Sequence, residues 1–93
     1  MARPYEEVKK SEARIILYLA MADKTRSDAN SIDAKLHIDY SYTLKLLGRM
    51  EEKGWIIVSR YNGRSYFGLT LHSPVSAAKE VLAHAFEAQR TLK

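Results

Sequence analysis

The chain has 93 residues, enough for one domain and too few for two, and a domain of this size is often supported by a partner subunit. It contains no cysteine, which excludes disulfides and thiolate metal sites, and its three histidines lack metal-ligand spacing, so neither a metal nor a cofactor is expected. Its 15 basic and 11 acidic residues give a net charge of +4, a modest value that by itself excludes no class of partner.

No stretch of the sequence is predicted to span a membrane. The longest apolar run, residues 15–22, falls short of the roughly 18 consecutive apolar residues that a spanning helix needs, and it predicts a buried helix instead. Residues 1–10 are not followed by the apolar region of a secretion signal. The protein is therefore expected to be cytoplasmic and to have no membrane partner.

The first predicted helix covers residues 11–22, with Ser11 as a candidate N-cap. Its residues are apolar on nearly all sides, which indicates that the helix buries more than one face. Residues 1–10 contain Pro4, which suits a first helical turn, and several basic side chains. They are predicted to form either an extension of this helix or a mobile basic arm.

Two helices follow a polar connector. Asn30 is a candidate N-cap for a short second helix over residues 31–36. Asp39 is predicted to cap a third helix that runs to Lys53, and Gly54 then takes the C′ position that commonly ends a helix. The sequence therefore predicts two consecutive helices joined by a short turn.

The pattern changes from helix to strand after the third helix. The segments "WIIVSRY" and "RSYFGLTL" are rich in β-branched and aromatic residues, and only Asn62 and Gly63 separate them. This pair is a strong signal for a type I′ hairpin, because both residues tolerate positive φ. In the register that this turn predicts, Tyr61 opposes Arg64, Val58 opposes Phe67 and Trp55 opposes Thr70.

A final helix is predicted from Pro74 at its first position toward Leu92, with Ser73 as its N-cap. Its apolar residues recur at threes and fours, which marks a stripe for packing against another helix. Because one small domain has little core left to receive it, the stripe is interpreted as a homodimer interface, with packing inside the monomer as the alternative. The residues of this predicted interface are Val75, Ala78, Leu82, Ala85 and Leu92.

The third helix is predicted to have two contrasting faces. Its inward face is identified from helical spacing as Thr43, Leu46, Leu47 and Met50. The opposite face presents Ser41, Lys45 and Gly48, flanked by Tyr42 and Arg49, and it holds no acid before Glu52. This face is interpreted either as a solvated surface or as a surface for a polyanion.

The element order, with the segments "LGRMEEKGWI" and "Y-x-x-L-T", resembles the winged helix-turn-helix domains of bacterial and archaeal transcription regulators. The multiple-antibiotic-resistance and PadR-like groups are the most similar in style. The resemblance covers residues 11–72 and implies an α+β fold with a three-helix core and a two-stranded β wing. Residues 73–93 are then an additional C-terminal helix for dimerisation. One departure is His37, where the family often has glycine.

The resemblance implies a dimeric, sequence-specific regulator of transcription that binds double-stranded, palindromic DNA. The third helix would enter the major groove, and the wing would reach the minor groove or the backbone. Arginine suits such a wing, and residues 55–72 carry two arginines and no acid, whereas residues 23–40 carry four acids against three bases. The candidate DNA-binding residues are Tyr40, Ser41, Tyr42, Lys45, Arg49, Arg60, Tyr61, Asn62 and Arg64.

Two residues of the third helix have open interpretations. Leu44 lies between the inner and outer faces, where it is predicted to pack against the second helix, with contact to a thymine methyl as the alternative. Gly48 costs about 1 kcal/mol relative to alanine at a mid-helix position. It either permits close approach to nucleic acid or is a tolerated weak position.

Two other functions compatible with the same fold are an architectural DNA-binding protein of low sequence specificity and a protein-interaction module. Enzymatic activity is not expected, because the sequence has no nucleophile–base pair, metal cluster or phosphate-binding glycine loop. The sequence leaves open the operator, the sign of regulation and any small-molecule effector.

Overall fold

The computed structural model describes the backbone of residues 8–91 and the side chains of residues 8–83. Within that range it contains four α-helices and one two-stranded antiparallel sheet, which confirms the predicted α+β class. No helix in this range is both long and apolar enough to cross a membrane. In chain order the elements are α1 (Lys10–Met21), a 3-10 turn (Lys24–Arg26), α2 (Ala29–Leu36), α3 (Tyr40–Glu52), β1 (Ile56–Tyr61), β2 (Arg64–Leu69) and α4 (Val75–Thr91).

The first helix, α1, begins one residue earlier than predicted. It starts at Lys10, so Ser11 lies inside the first turn rather than at the cap. The Glu12 carboxylate performs the capping, because its Oε1 accepts the backbone N–H of Lys9 at 2.9 Å. Residues 1–7, which make up most of the predicted arm or helix extension, lie outside the described residues.

An aspartate precedes each of the next two helices. Asp28, rather than the predicted Asn30, is the N-cap residue of α2, and its Oδ1 accepts a hydrogen bond from the Ser31 hydroxyl at 2.6 Å. Asp39 caps α3 as predicted, because its Oδ2 accepts the backbone N–H of Tyr42 at 3.2 Å. The start of α3 is therefore set by a local side-chain contact.

Residues with positive φ follow α2 and α3. Gly54, at φ 79°, comes just after α3 and has no Cβ to strain. His37, at φ 57° and ψ 44°, ends α2 in the left-handed conformation, which costs a residue with a Cβ roughly 1–2 kcal/mol. The Arg14 guanidinium stabilises this turn by donating to the Leu36 carbonyl oxygen at 2.6 Å. The turn thus forms without the glycine that the resemblance leads one to expect.

The hydrophobic core lies between α1, α2, α3 and the first turns of α4. Full burial of one of its large side chains contributes about 1.5–3 kcal/mol relative to exposure. Among the described elements, α1 packs more extensively against α4 than against any other, which explains why nearly all sides of α1 are apolar. The largest fully buried apolar side chains are Ile15, Ile16, Ile32, Leu46, Leu47 and Met50.

The start of the apolar stripe on α4 packs inside the subunit. Ala78 is fully buried in the core, which leaves it no surface for contact with a second copy. Val75 and Leu82 are half-buried and pack against the same core. Ala85 and Leu92 lie outside the residues whose side chains are described. These three positions therefore pack at least in part inside the monomer, the alternative that the sequence left open, and a contact of Val75 and Leu82 with a second subunit stays a prediction.

The hairpin has the predicted register. Tyr61 pairs with Arg64 and Val58 with Phe67, while the Thr70 N–H donates to the Trp55 carbonyl oxygen at 3.1 Å just beyond the strands. Asn62 and Gly63 have φ values of 51° and 76°, as a type I′ turn requires.

The free edge of β2 is tied to the connector between α1 and α2. The Phe67 N–H donates to the Ser27 carbonyl oxygen at 3.0 Å. The connector is itself held to α1, because the Tyr18 hydroxyl donates to the Arg26 carbonyl oxygen at 2.7 Å. Burial, followed by the negative charge of Asp28, raises the pKa of Tyr18. These contacts fix the position of the hairpin on the helical core.

Ser73 has a different role from the predicted helix cap. Its hydroxyl donates to the Trp55 carbonyl oxygen and accepts the Thr70 N–H at 3.1 Å. The last helix begins at Val75, one residue later than predicted. Pro74 therefore lies just before the helix rather than at its first position. Ser73 therefore links the base of the hairpin to the start of α4.

Candidate nucleic-acid interface

The faces of α3 are divided as the spacing predicts. Its four predicted inward residues are at most 1% exposed, and the hydroxyl of Thr43 donates to the Asp39 carbonyl oxygen at 3.0 Å, which satisfies its buried polar atom. The opposite residues are exposed, including Ser41, Lys45 and Gly48. A Cβ added to Gly48 would meet no atom within 4 Å, so packing does not require glycine there.

A groove separates the first turns of α3 from the tip of the hairpin. We call it the helix–wing groove, and its volume is about 460 Å³. Tyr40 and Leu44 line it from α3, and Arg64 lines it from the hairpin. The remaining lining residues are Gly63, Ser65 and Phe67 of the hairpin and Asp28, Ala29 and Asn30 at the start of α2. The structure therefore brings a predicted helix residue and a predicted wing residue to one surface.

The predicted residues of α3 occupy different positions around the helix axis. Successive residues are rotated by about 100°, which places Ser41 and Lys45 at the centre of the exposed face. Tyr40 lies toward the helix–wing groove, whereas Tyr42 and Arg49 lie on the opposite flank. An object that contacts all five must therefore extend across the whole exposed width of α3.

The predicted wing residues are divided between the two faces of the hairpin. Arg60 is paired with Ser65, which lines the helix–wing groove, and paired residues of antiparallel strands project to the same face. Tyr61, which is 69% exposed, instead lines a second groove against the connector, together with Ile57 and Tyr66. Its strand partner Arg64, at the tip of the hairpin, borders the helix–wing groove. Asn62 is exposed in the turn itself.

The cations of this surface are not neutralised by neighbouring carboxylates of the described residues. The ion pair found among those residues lies elsewhere, between Lys53 Nζ and Glu12 Oε2 at 3.4 Å. The same Lys53 ammonium lies 4.3 Å from the ring centroid of Trp55. The candidate cations, all of them exposed, are Lys45, Arg49, Arg60 and Arg64.

Several lining residues were not among the candidate DNA-binding residues listed from the sequence. Leu44 was predicted to pack against α2, with contact to a thymine methyl as the alternative, and it is 43% exposed and lines the groove. Asp28 adds an acid to a surface that was expected to be free of acids. Its position at the start of α2 could have been predicted from Ser31, three residues later, whose hydroxyl donates to it. The other lining residues come from segments that approach α3 only in three dimensions.

Solved structures share this fold. MepR, a transcription regulator of the Staphylococcus aureus multidrug efflux pump MepA, matches with a TM-score of 0.70 and 20% identity over 94% of this chain and 64% of MepR. The S. aureus MepR–DNA complex matches with a TM-score of 0.73 and 20% identity over 94% of this chain and 65% of that chain. The fold is a winged helix-turn-helix.

A variant of Lactococcus lactis ZitR has the same fold, with a TM-score of 0.68 and 26% identity over 91% of this chain and 57% of ZitR. No protein-family model and no curated protein matches the sequence. The chain spans 57–65% of the length of these structural neighbours. In this winged helix-turn-helix, α2 and α3 form the helix-turn-helix and the β1–β2 hairpin is the wing.

Proposed function

We propose that this chain is a dimeric transcription regulator that binds double-stranded DNA with sequence specificity. In this proposal α3 lies in the major groove, and the wing contacts the minor groove or the adjacent backbone. The observation that carries the proposal is the helix–wing groove, where Tyr40 of α3 and Arg64 of the wing line one surface. The MepR–DNA complex, which has the same fold, supports it.

The electrostatics of the surface support contact with phosphates. Lys45 lies at the centre of the exposed face of α3, Arg49 on its flank, and Arg60 and Arg64 on the wing. An exposed cation that approaches phosphate releases condensed counterions, which favours binding at low salt. The planar guanidinium of arginine also binds phosphate through two hydrogen bonds. These four residues are therefore proposed as the main phosphate ligands.

Base contacts are assigned to the first turns of α3. The N-terminal part of a recognition helix normally reaches the base edges, and here it carries Tyr40, Ser41 and Tyr42. Hydroxyl groups both donate and accept hydrogen bonds, so these side chains can contact either bases or phosphate. Tyr61 and Asn62 at the wing tip are proposed to follow the backbone beside the groove.

The dimer is proposed to form through the segment that contains Ala85 and Leu92, where the apolar stripe continues in the sequence beyond Leu82. A two-fold dimer would place two copies of α3 in successive major grooves about 34–36 Å apart, and the site would be palindromic. Sedimentation equilibrium should give twice the monomer mass, and a monomer at tens of micromolar would contradict this part of the proposal.

Selection of bound duplexes from a random pool, followed by gel-shift titration, tests the function directly. We expect enrichment of a palindromic sequence and binding in the nanomolar-to-micromolar range at moderate salt. Equal affinity for selected and random duplexes would indicate architectural binding. No binding to any duplex would overturn the proposal and favour a protein-interaction module.

A further inference from the structure

Leu44 is a large apolar side chain placed on the surface that is proposed to face DNA. It is 43% exposed, whereas the apolar residues on the inner face of α3 are at most 1% exposed. Single exposed leucines are common on protein surfaces and need no explanation by themselves. This one lines the helix–wing groove together with Tyr40 and Arg64, so an object that fills the groove also covers Leu44.

The neighbours of Leu44 allow a close approach at this point. Tyr40 and Gly48 lie one turn before and one turn after it on the same side of α3. Gly48 has no side chain, and the space around its Cα is open. A duplex that lies against this side of the helix therefore meets Leu44 beside a gap rather than beside a second bulky residue.

A leucine can read only one feature of the major groove. It has neither a donor nor an acceptor, so it cannot pair with the polar atoms of the base edges. The C5-methyl of thymine is the apolar group that unmodified bases present in the major groove. Burying it against Leu44 removes two apolar surfaces from water, whereas a cytosine there would lose the contact and gain no hydrogen bond.

We propose that Leu44 contacts the C5-methyl of one thymine in each half-site and thereby selects thymine at that position. This inference rests on the proposed function. It adds an apolar base contact to the polar and charged contacts assigned above, and it makes Leu44 a specificity-determining residue.

Replacement of thymine by deoxyuridine tests the contact, because deoxyuridine lacks the methyl group and keeps every hydrogen-bonding atom of the base. Each thymine of the selected duplex is replaced in turn, and the dissociation constant of the full chain is measured by titration. We expect binding to weaken about fourfold at one thymine per half-site, the change that follows from about 0.8 kcal/mol for a buried methylene-sized group.

Leu44→Ala should bind the thymine and deoxyuridine duplexes equally, while Leu44→Met should keep the discrimination. Leu71→Ala is the matched control, because Leu71 is fully exposed and lies outside the groove, and it should behave like the unmodified protein. Thermal unfolding should show that all three variants fold, since neither leucine is buried.

The outcomes separate this inference from the proposed function. Binding that is indifferent to every deoxyuridine replacement would overturn the methyl contact and leave the proposed function standing. Discrimination that persists in Leu44→Ala would assign the contact to another residue and would also overturn it. Failure to bind any duplex would overturn both.

Discussion

Two sides of the molecule differ in where their side chains find partners. One is the side where α1 packs against α4, and the other is formed by α3 and the wing. On the first side, Ile15, Ile16 and Ala78 are fully buried, and buried Glu12 accepts hydrogen bonds from the Lys9 N–H and the Lys53 ammonium. Every buried side-chain nitrogen or oxygen of the described residues has a partner. Among the described residues, the buried side chains of the first side are therefore satisfied within the subunit.

The α3–wing side carries exposed groups that have no partner among the described residues. Tyr40 and Leu44 are 44% and 43% exposed, and Arg64 lies across the groove from them without a carboxylate partner among the described residues. The comparison predicts that substitutions on the first side change the free energy of unfolding, whereas those on the second side change affinity for DNA.

The largest effect is expected from Ile16→Ala on the α1–α4 side. Removing most of a fully buried isoleucine should lower the free energy of unfolding by about 2–5 kcal/mol, through lost transfer energy and the cavity left behind. Urea denaturation measures the change. The control is Ile57→Ala in the sheet, where the side chain is 57% exposed and the loss should stay below about 1 kcal/mol. Equal losses in both variants would contradict the assignment of the core.

Arg64→Ala should weaken DNA binding by the α3–wing side without unfolding the protein. We expect DNA affinity to fall about tenfold or more, because a charge-assisted hydrogen bond contributes about 1.5–3 kcal/mol. The slope of log affinity against log salt should become shallower by about 0.9 for each lost phosphate contact. Lys79→Ala is the control, because it removes the same charge from an exposed position on α4. It should change the DNA affinity and the salt slope much less than Arg64→Ala does. An unchanged salt slope in Arg64→Ala would exclude this arginine from the interface.

His37→Gly should sharpen the comparison by changing stability at the turn between α2 and α3 without touching the groove. Glycine relieves the left-handed strain at φ 57°, so the free energy of unfolding should rise by about 1 kcal/mol. Lys35→Gly is the control, because the same replacement inside α2 should lower it by about 1 kcal/mol. Thermal unfolding distinguishes the two signs. Destabilisation by both substitutions would show that the His37 side chain stabilises the turn more than its backbone strains it.

The smallest expected effect is that of Asp28→Asn at the edge of the groove. Asn keeps a side-chain oxygen that can accept from the Ser31 hydroxyl, and it removes a negative charge that repels phosphate. We expect two- to threefold tighter DNA binding, in line with about 0.5 kcal/mol for an exposed charge interaction. Asp33→Asn, on the same helix but outside the groove, should have a smaller effect. Weaker binding by Asp28→Asn would mean that this carboxylate accepts a hydrogen bond from a base.

Local chemistry in the sequence was enough to predict most of the fold. The Asn62–Gly63 pair predicted the register of the hairpin, because a two-residue type I′ turn leaves one pairing of the strands. Helical spacing predicted which residues of α3 are buried. Asp39 was identified as a cap because a side-chain oxygen at a helix start can accept a hydrogen bond from one of the free backbone N–H groups there, as Asp39 does from Tyr42.

The predictions that depended on distant contacts were less complete. The stripe on α4 was assigned to a second subunit, with packing inside the monomer as the alternative. Val75, Ala78 and Leu82 pack against the core, and α4 contacts α1, which lies more than fifty residues earlier. Ser73 was assigned to the cap of α4 and instead joins Trp55 to Thr70. Periodicity shows that a face is apolar, but it carries no information about which surface covers that face.

The sequence by itself determined the order of the elements, the strand register and the two faces of α3, because short-range backbone geometry and side-chain periodicity decide them. Only the tertiary structure decided that Arg64 of the wing and Tyr40 and Leu44 of α3 line one groove, with Asp28 at its edge. That arrangement depends on how the hairpin is held against the connector through the Phe67–Ser27 hydrogen bond. Contacts between segments so far apart in the chain leave no periodic pattern in the sequence.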